Sequence, residues 1–593
     1  MKIILGSLIG LLWACATWAV VIEQSLNERI SSAVAICRGT VLQNHSFEKG
    51  PHAAIYTETG IAVLEVFKGI FADTVRLEHR GGEFNGRGES YCSQPIFERS
   101  CEMLLFIQRR EDGTLCCLHQ ICSAAPEYGK VLSALRQLAA SLPGIGSDVA
   151  DQNFVPDEHS SLSISVLPAS TGYSSRFLQG DRNEPIEYLV DMDALPPGIA
   201  APQALAAVSN AFSAWSSVTS LSFKFAGIES FGMAAADVNI SDGRIRVQFH
   251  DLYGYISDPT ILGRGGRSYS YNPVLCPSGG TGARVGSIEF DLTTRGFVVM
   301  KHTQSLLANL TTFEEVLCHE IGHAISLGHS SETENETNPA LEGAMMYYLA
   351  HADGRGAWLA AWDSTTAQTI YPTGNTPPYG YNRTIHALHS PGLQAPLSSG
   401  INQVELNAYD LQGEAVPVLV GATANNGSFS LVNGTTLFFT PHGWFGQIDT
   451  EEFGEEGFWD TYVVRMSDGV NLSAPVQVRV VQLLADGNRN WLADSWATDY
   501  GISGGASDDH DRDGFTNLDE WFLGSNPTDP LSNFKMEISP AGLSWTAHAD
   551  DLFEVQSATA LSDGFSRVGN PVPGTTRSID SGRTKFYRVQ RLK

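Results

Sequence analysis

The most specific chemistry in the chain lies in one short stretch, Cys318-His319-Glu320-Ile321-Gly322-His323-Ala324-Ile325-Ser326-Leu327-Gly328-His329. His319 and His323 are four apart, so on a helix both imidazoles share one face and can grip a single metal ion. Neutral imidazole is a good Zn2+ ligand, and a catalytic zinc takes three protein ligands and leaves one position open. His329 can be the third ligand if the helix ends after His323 and the chain turns. Glu320 sits beside the first histidine, where it can act on water as a general base without binding the ion. Three histidines and one glutamate at these fixed offsets should arise by chance ~0.001 times in such a chain. No serine or cysteine stands out as a nucleophile. Cys318 points about 100° around the helix from His319, which fits core packing or a disulfide.

A second constellation suits a hard cation. Asp509-His-Asp511-Arg-Asp513-Gly514-Phe515-Thr-Asn517-Leu-Asp-Glu520 follows the EF-hand loop position by position. Asp509, Asp511 and Asp513 offer oxygens at positions 1, 3 and 5, and Gly514 allows the turn at 6. Phe515 offers its carbonyl at 7, Asn517 stands at 9, and Glu520 can be bidentate at 12. Oxygen ligands at this spacing favour Ca2+ over Zn2+. Asp486-Gly-Asn488-Arg-Asn490, with Asp494, is a degenerate relative that has Ala497 where the glutamate belongs.

The elements around these residues follow from periodicity. Thr311-Thr-Phe-Glu-Glu-Val316 predicts the entry to the histidine-bearing helix, with Thr311 or Thr312 as N-cap. Pro202 opens an earlier helix whose Leu205, Val208, Phe212 and Trp215 form one apolar face. Ile186–Val190, Leu221–Phe225, Ile245–Phe249 and Gly286–Asp291 read as strands, and the region 166–373 therefore alternates strand and helix. Residues 20–140 read as a β domain, with strands at Ile61–Phe67 and Thr74–His79 joined through Lys68-Gly69. Residues 395–483 lack a helical period and carry four strand-like runs, which predicts a β-sandwich. Linkers are expected at 141–165 and 374–394, the calcium segment at 484–530 and a small β-rich tail at 531–593.

At 593 residues with 42% hydrophobic and 17% charged side chains, the chain can bury several cores. Its 37 Lys+Arg against 65 Asp+Glu give a net charge of −28, which disfavours nucleic acid as a partner. Lys2, the apolar run Ile3–Trp13 and Ala14-Cys15-Ala16 read as a signal peptide over 1–19. Leu12-Trp13-Ala14-Cys15 offers an alternative lipid anchor at Cys15, with Trp13 a poor fit to that motif. No other stretch has the apolar length to span a membrane. The expected location is secreted, extracellular or cell-surface. In that setting Cys37, Cys92, Cys101, Cys116, Cys117 and Cys122 are disulfide candidates, while Cys276 and Cys318 either pair or stay reduced.

The pattern over roughly 180 positions resembles the metzincin metallopeptidases, and most of all the matrixins. Ala211-Phe212-Ser-Ala-Trp215 with Leu221-Ser-Phe223 is similar to the first matrixin helix and second strand, and Ile245–Phe249 to the third. His319-Glu320, His323 and Gly328-His329-Ser330 match the zinc motif. Ala344-Met345-Met346-Tyr347 resembles the Met-turn, with Met346 as the platform beneath the metal, and Asp363-Ser…Gln368-Thr-Ile-Tyr371 resembles the closing helix. The resemblance implies an α/β metzincin catalytic domain, a twisted mixed sheet plus an active-site helix. It also implies a catalytic zinc on His319, His323 and His329, Glu320 as base, and protein or peptide substrates. Tyr348 lies where astacins and serralysins carry a tyrosine that touches zinc and stabilises the oxyanion; packing in the pocket wall is its other reading.

Two departures from the matrixin pattern stand out. Where the family has glycine three residues after the second histidine, this chain has Ser326. A left-handed non-glycine residue costs ~1–2 kcal/mol, and Gly328 offers another place for the turn. No matrixin-type cysteine switch precedes the domain. The flanks carry weaker resemblances: the N-terminal β domain to the netrin and metalloproteinase-inhibitor type of OB fold, 395–483 to bacterial cadherin or immunoglobulin-like spacers, and the acidic loops to thrombospondin type 3 and dockerin-like calcium segments. The expected function is an exported zinc endopeptidase with structural Ca2+. The alternative is a calcium-dependent adhesion or scaffold protein with an inactive metalloprotease-like domain.

Overall fold

A computed structural model describes residues 26–593, apart from 51, 70–72, 92–96, 98, 111–112, 124, 126–127, 142–172, 271–279, 334, 390–399, 414, 424–426, 442–457, 540–541, 548–550, 561–563, 580–584 and 593. The signal peptide with Cys15, the first linker, Cys92 and Cys276 lie outside the described residues. Two compact units divide at Thr376/Pro377, three residues past the expected end of the catalytic region. Among the described residues no helix is long and apolar enough to cross a membrane.

The first unit opens with α1 (Leu26–Ser32), β1 (Ala35–Lys49), β2 (Ala54–Lys68), β3 (Thr74–Arg80), β4 (Gly82–Phe84), β5 (Arg87–Tyr91), β6 (Glu102–Arg109), β7 (Leu115–Cys122) and α2 (Tyr128–Ser141). Five of these strands make an antiparallel sheet in the order β3-β2-β1-β6-β7. Alternation along β3 puts Val75 and Leu77 inward beside Ile61, Leu105 and Ile107. Cys37 is a free thiol in that core, opposite Leu105 and Val66 across the sheet, and burial pushes it up to about 12. The sulfurs of Cys101 and Cys122 approach to 2.9 Å. Cys116 and Cys117 are successive residues of β7, so their side chains leave opposite faces.

The catalytic region adds β8 (Ser174–Arg176), β9 (Ile186–Asp191), α3 (Ala201–Val218), β10 (Phe223–Ile228), β11 (Ile245–Gln248), β12 (Gly263–Ser270), β13 (Arg284–Val285), β14 (Ile288–Met300), α4 (Leu310–Ala324), α5 (Pro339–Glu342) and α6 (Ala361–Ile370). The sheet order is β10-β9-β11-β14-β12-β5-β4. Its first four strands run parallel, while β12 is antiparallel to both β14 and β5. The expected boundary between the N-terminal domain and the catalytic domain is thus crossed: hairpin β4–β5 leaves its own domain and extends the catalytic sheet. On one face Val190, Val247 and Val298 pack with Phe212 and Trp215 of α3 and Ile321 of α4. On the other, Phe297 and Val299 pack with Ile256 and Ile261.

The second unit begins with a β-sandwich. One sheet is β15 (Arg383–His389), β21 (Val476–Ala485), β20 (Phe458–Ser467) and β17 (Val416–Thr423); the other is β16 (Gln403–Glu405), β19 (Thr436–Pro441) and β18 (Gly427–Val432). The sandwich takes its first strand from residues expected to be linker, because β15 supplies Ile385 and Ala387 to the core and runs parallel to β21. Helices α7 (Asp494–Asp499) and α8 (Asn517–Leu523) follow, and then two small sheets between Met536 and Arg591.

Candidate metal centre

Asn309, rather than either threonine, caps α4: its Oδ1 accepts from Thr311 N at 3.0 Å and Thr312 N at 3.2 Å. A capping side chain two or three residues earlier than expected leaves both threonines inside the first turn. Trp215 of α3 donates its indole N–H to the Cys318 carbonyl at 2.9 Å, which locks the two helices together. Cys318 is a free, fully buried thiol of this core.

The helix ends in a Schellman motif. Ser326 N–H bonds the His323 carbonyl at 3.0 Å and Leu327 N–H bonds the Gly322 carbonyl at 2.9 Å, the paired closure typical of a left-handed C′ residue. Ser326 holds that conformation at φ 86°. The turn therefore stays where the matrixin glycine would put it and does not move to Gly328. It brings His329 back onto the face that carries His319 and His323.

The three imidazoles converge through their Nε2 atoms, at 2.9 Å for His319–His323 and 3.1 Å for each distance to His329. Each Nδ1 is already engaged: His319 with the Met345 carbonyl at 2.8 Å, His323 with the Leu327 carbonyl at 2.8 Å, His329 with Glu332 Oε1 at 3.2 Å. Nδ1–H donation to these acceptors leaves every Nε2 as a bare lone pair. Three lone pairs facing one another within about 3 Å cannot bond each other, and a shared cation resolves the arrangement. Burial pulls all three imidazoles down, His323 to about 4 and the other two well below their usual value, so each is the neutral, coordinating form. The donor set fits Zn2+, and the engaged Nδ1 atoms fix each tautomer and ring orientation.

Glu320 is fully buried beside this tripod. Space for it comes from β12: a Cβ on Gly263 would stand 2.9 Å from Glu320 Cγ, and one on Gly265 would stand 2.1 Å from the Glu320 carbonyl oxygen. Any other residue at 265 would push α4 off the strand.

Beneath the tripod, Met345 and Met346 are held by Asp363, whose carboxylate accepts from their two backbone N–H groups at 2.8 and 3.0 Å and from Ala360 N at 2.8 Å. Ser330 N–H bonds the Met346 carbonyl at 2.8 Å, which ties the third-ligand segment to the same turn. The Tyr348 ring is buried and meets Tyr347 edge-on at 5.1 Å. Glu315 pins the following loop, accepting from His351 N at 2.7 Å and Ala352 N at 3.2 Å. Asp363, Glu332, Glu315 and the β12 glycines were not singled out for these roles by the sequence. For Asp363 the signal was its place three residues into a helix, where a carboxylate reaches back to free N–H groups.

In the calcium segment Asp509, Asp511 and Asp513 place carboxylate oxygens within 4.8 Å of one another. Asn517 and Glu520 are fully buried. Asp511 Oδ2, Asp513 Oδ2, Asn517 Oδ1 and Glu520 Oε2 are buried with no hydrogen-bond partner. Burial and the neighbouring aspartates push Glu520 up to about 7. Asp191, Asp193 and His250 form a further cluster, but Asp191 is already engaged by His250 Nε2, Gln248 Nε2, and the backbone N–H groups of Phe231 and Asp193.

A mixed sheet whose strand β12 runs beside a helix-borne histidine tripod and an adjoining glutamate defines a metallopeptidase-like α/β domain. Residues 182–371, about a third of the chain, match the matrixin family, peptidase M10. That match supports a matrixin-like metallopeptidase and implies the metzincin fold. No curated protein matches the chain.

Proposed function

We propose that the chain is an exported zinc-dependent endopeptidase whose base is Glu320, acting on protein or peptide substrates. The carrying observation is the convergence of three neutral Nε2 lone pairs next to a fully buried glutamate. Bound zinc would supply a Lewis acid that acidifies water and polarises a carbonyl. His319, His323 and His329 would hold it. Glu320 takes a proton from the attacking water and delivers it to the leaving amine. The apolar wall of α3, α4 and the Met-turn excludes bulk water and keeps the histidines neutral. The signal-like residues 1–19 support export.

Cleavage of denatured casein by the full chain, compared with Glu320→Ala and with zinc content measured on both, tests this. Cleavage by the wild type alone, with about one zinc retained in each, is the expected result. Zinc without cleavage in either would favour an adhesion or scaffold role.

The acidic loop is read as a structural Ca2+ site on its four buried, unsatisfied oxygens. Calcium at about 100 times its Kd should stabilise the C-terminal region by about 2.7 kcal/mol. Glu520→Ala should remove that response in a calcium titration of the thermal transition.

A further inference from the structure

Strand β12 presents its outer edge beside Glu320, and β5 takes most of that edge. Glu320 Cγ and Oε1 lie against Gly263, so the reacting bond of a substrate belongs at that end of the strand. From Gly266 to Ser270 the edge is taken by β5, in the antiparallel register Gly266↔Tyr91, Arg267↔Ser90, Ser268↔Glu89, Tyr269↔Gly88 and Ser270↔Arg87. No strand among the described residues pairs with Gly263, Arg264 and Gly265 on that side. An extended peptide adds to such an edge through its main chain.

β5 is firmly held. Glu89 is 1% exposed and lies 3.5 Å from the equally buried Arg295 of β14. Tyr269 donates its hydroxyl to Glu83 Oε1 at 2.8 Å. Gly88 lies so close to the Tyr269 ring that a Cβ there would come within 2.1 Å of it. Arg80, at the end of β3, donates to the Ala236 carbonyl at 2.8 Å and pairs with Asp237. Displacing β5 would leave the Arg295 guanidinium buried without its carboxylate, a costly state.

We propose that β5 closes the upstream end of the substrate cleft. A peptide that joins β12 in the same antiparallel sense as β5 has at most three positions before its scissile bond, opposite Gly263, Arg264 and Gly265. A fourth upstream residue would meet the position that Tyr91 occupies opposite Gly266. The N-terminal domain is then a specificity element, and the site favours bonds near a chain's N-terminus or just after a sharp bend. This inference rests on the peptidase reading of the same site.

The test is a ladder of oligo-alanine C-terminal hydroxamates, one to six residues long, titrated by calorimetry into the zinc-loaded full chain. The hydroxamate anchors at the metal and the alanines extend upstream. Affinity should rise about two- to fivefold per residue through the third and then stay level. A continued rise from the fourth to the sixth residue would overturn the proposal, as would no binding by any member. Gly88→Leu, which crowds Tyr269 and loosens β5, should move the plateau beyond three; the wild-type ladder decides the matter if that variant does not fold. The casein experiment is independent of this readout. A ladder that levels at three without casein cleavage would keep the closed cleft and reject the peptidase.

Discussion

Met346 fills the space that a side chain on Gly322 would need. A Cβ built on Gly322 would stand 2.4 Å from Met346 Sδ and 2.9 Å from the Trp215 ring. The residue between the two zinc-motif pairs is therefore what lets the methionine platform and the α3 tryptophan press against α4 from below. Met345, next in the same turn, accepts from His319 Nδ1, so the closeness of the packing carries through to ligand orientation.

Gly322→Ala weighs two effects against each other. Alanine gains up to ~1 kcal/mol of helix propensity, while crowding a filled core costs typically 1–3 kcal/mol. Met346 is fully buried and the same Cβ would also meet the Trp215 ring at 2.9 Å, so the clash should win. The thermal transition of the catalytic domain should fall by about 1–2 kcal/mol of stability. An unchanged transition would mean that Met346 swings aside without cost.

Ser326→Gly should do the opposite. Serine at φ 86° pays for a left-handed backbone that glycine adopts freely. The substitution should stabilise the domain by up to ~1 kcal/mol and leave the zinc content unchanged. Ser326→Val, β-branched at the same φ, should destabilise by more than Gly stabilises. Denaturant unfolding of the three proteins orders them, and any other order would contradict the Schellman turn.

What could be seen in advance follows from range. The shared face of His319 and His323 is set by helical period alone, and the strands of the sandwich by local alternation and turn residues. Ser326 raised a question that only the paired hydrogen bonds to Gly322 and His323 resolve. The β4–β5 hairpin was not legible, because Gly82-Glu-Phe84 and Arg87-Gly-Glu-Ser-Tyr91 lack an apolar alternation. Their pairing with β12, some 180 positions along the chain, is fixed by Glu89, Glu83 and Gly88 meeting Arg295 and Tyr269. β15 is equally hidden, because it follows a proline-rich stretch and its partner β21 comes almost a hundred residues later.

Glu332 should tune the metal. His319 and His323 lean on backbone carbonyls, whereas His329 leans on a carboxylate at 3.2 Å. Removing an outer partner of a ligating histidine typically costs 10–100-fold in metal affinity, so Glu332→Ala should lose zinc to a chromogenic chelator at about that lower strength. Glu332→Gln keeps an acceptor oxygen for His329 Nδ1–H and should fall between. Equal affinities in all three would show that the third ligand is oriented by its turn alone.

The N-terminal β domain should carry an acid-sensitive core at His79. The ring is 7% exposed, 3.3 Å from Thr59 Oγ1 and from the Arg80 carbonyl, and packed against Phe97 at 5.3 Å. Burial pulls it from 6.5 to about 4, opposed by the Arg80 carbonyl and assisted by the Arg110 charge. Between those values the unfolded chain binds a proton that the folded chain refuses. Stability then rises with pH across that window and is lost as pH falls from 6.5 toward 4. A depression of that size corresponds to about 3 kcal/mol. Amide exchange of β1–β3 in the full chain should show it: protection falls by about that amount in the wild type between pH 7 and pH 4, after correction for intrinsic exchange. His79→Leu should start less stable at pH 7, through the lost polar contacts, but show a flatter profile over the same range. Parallel profiles would mean that the ring takes up its proton without leaving the core, with solvent reaching it through the folded sheet.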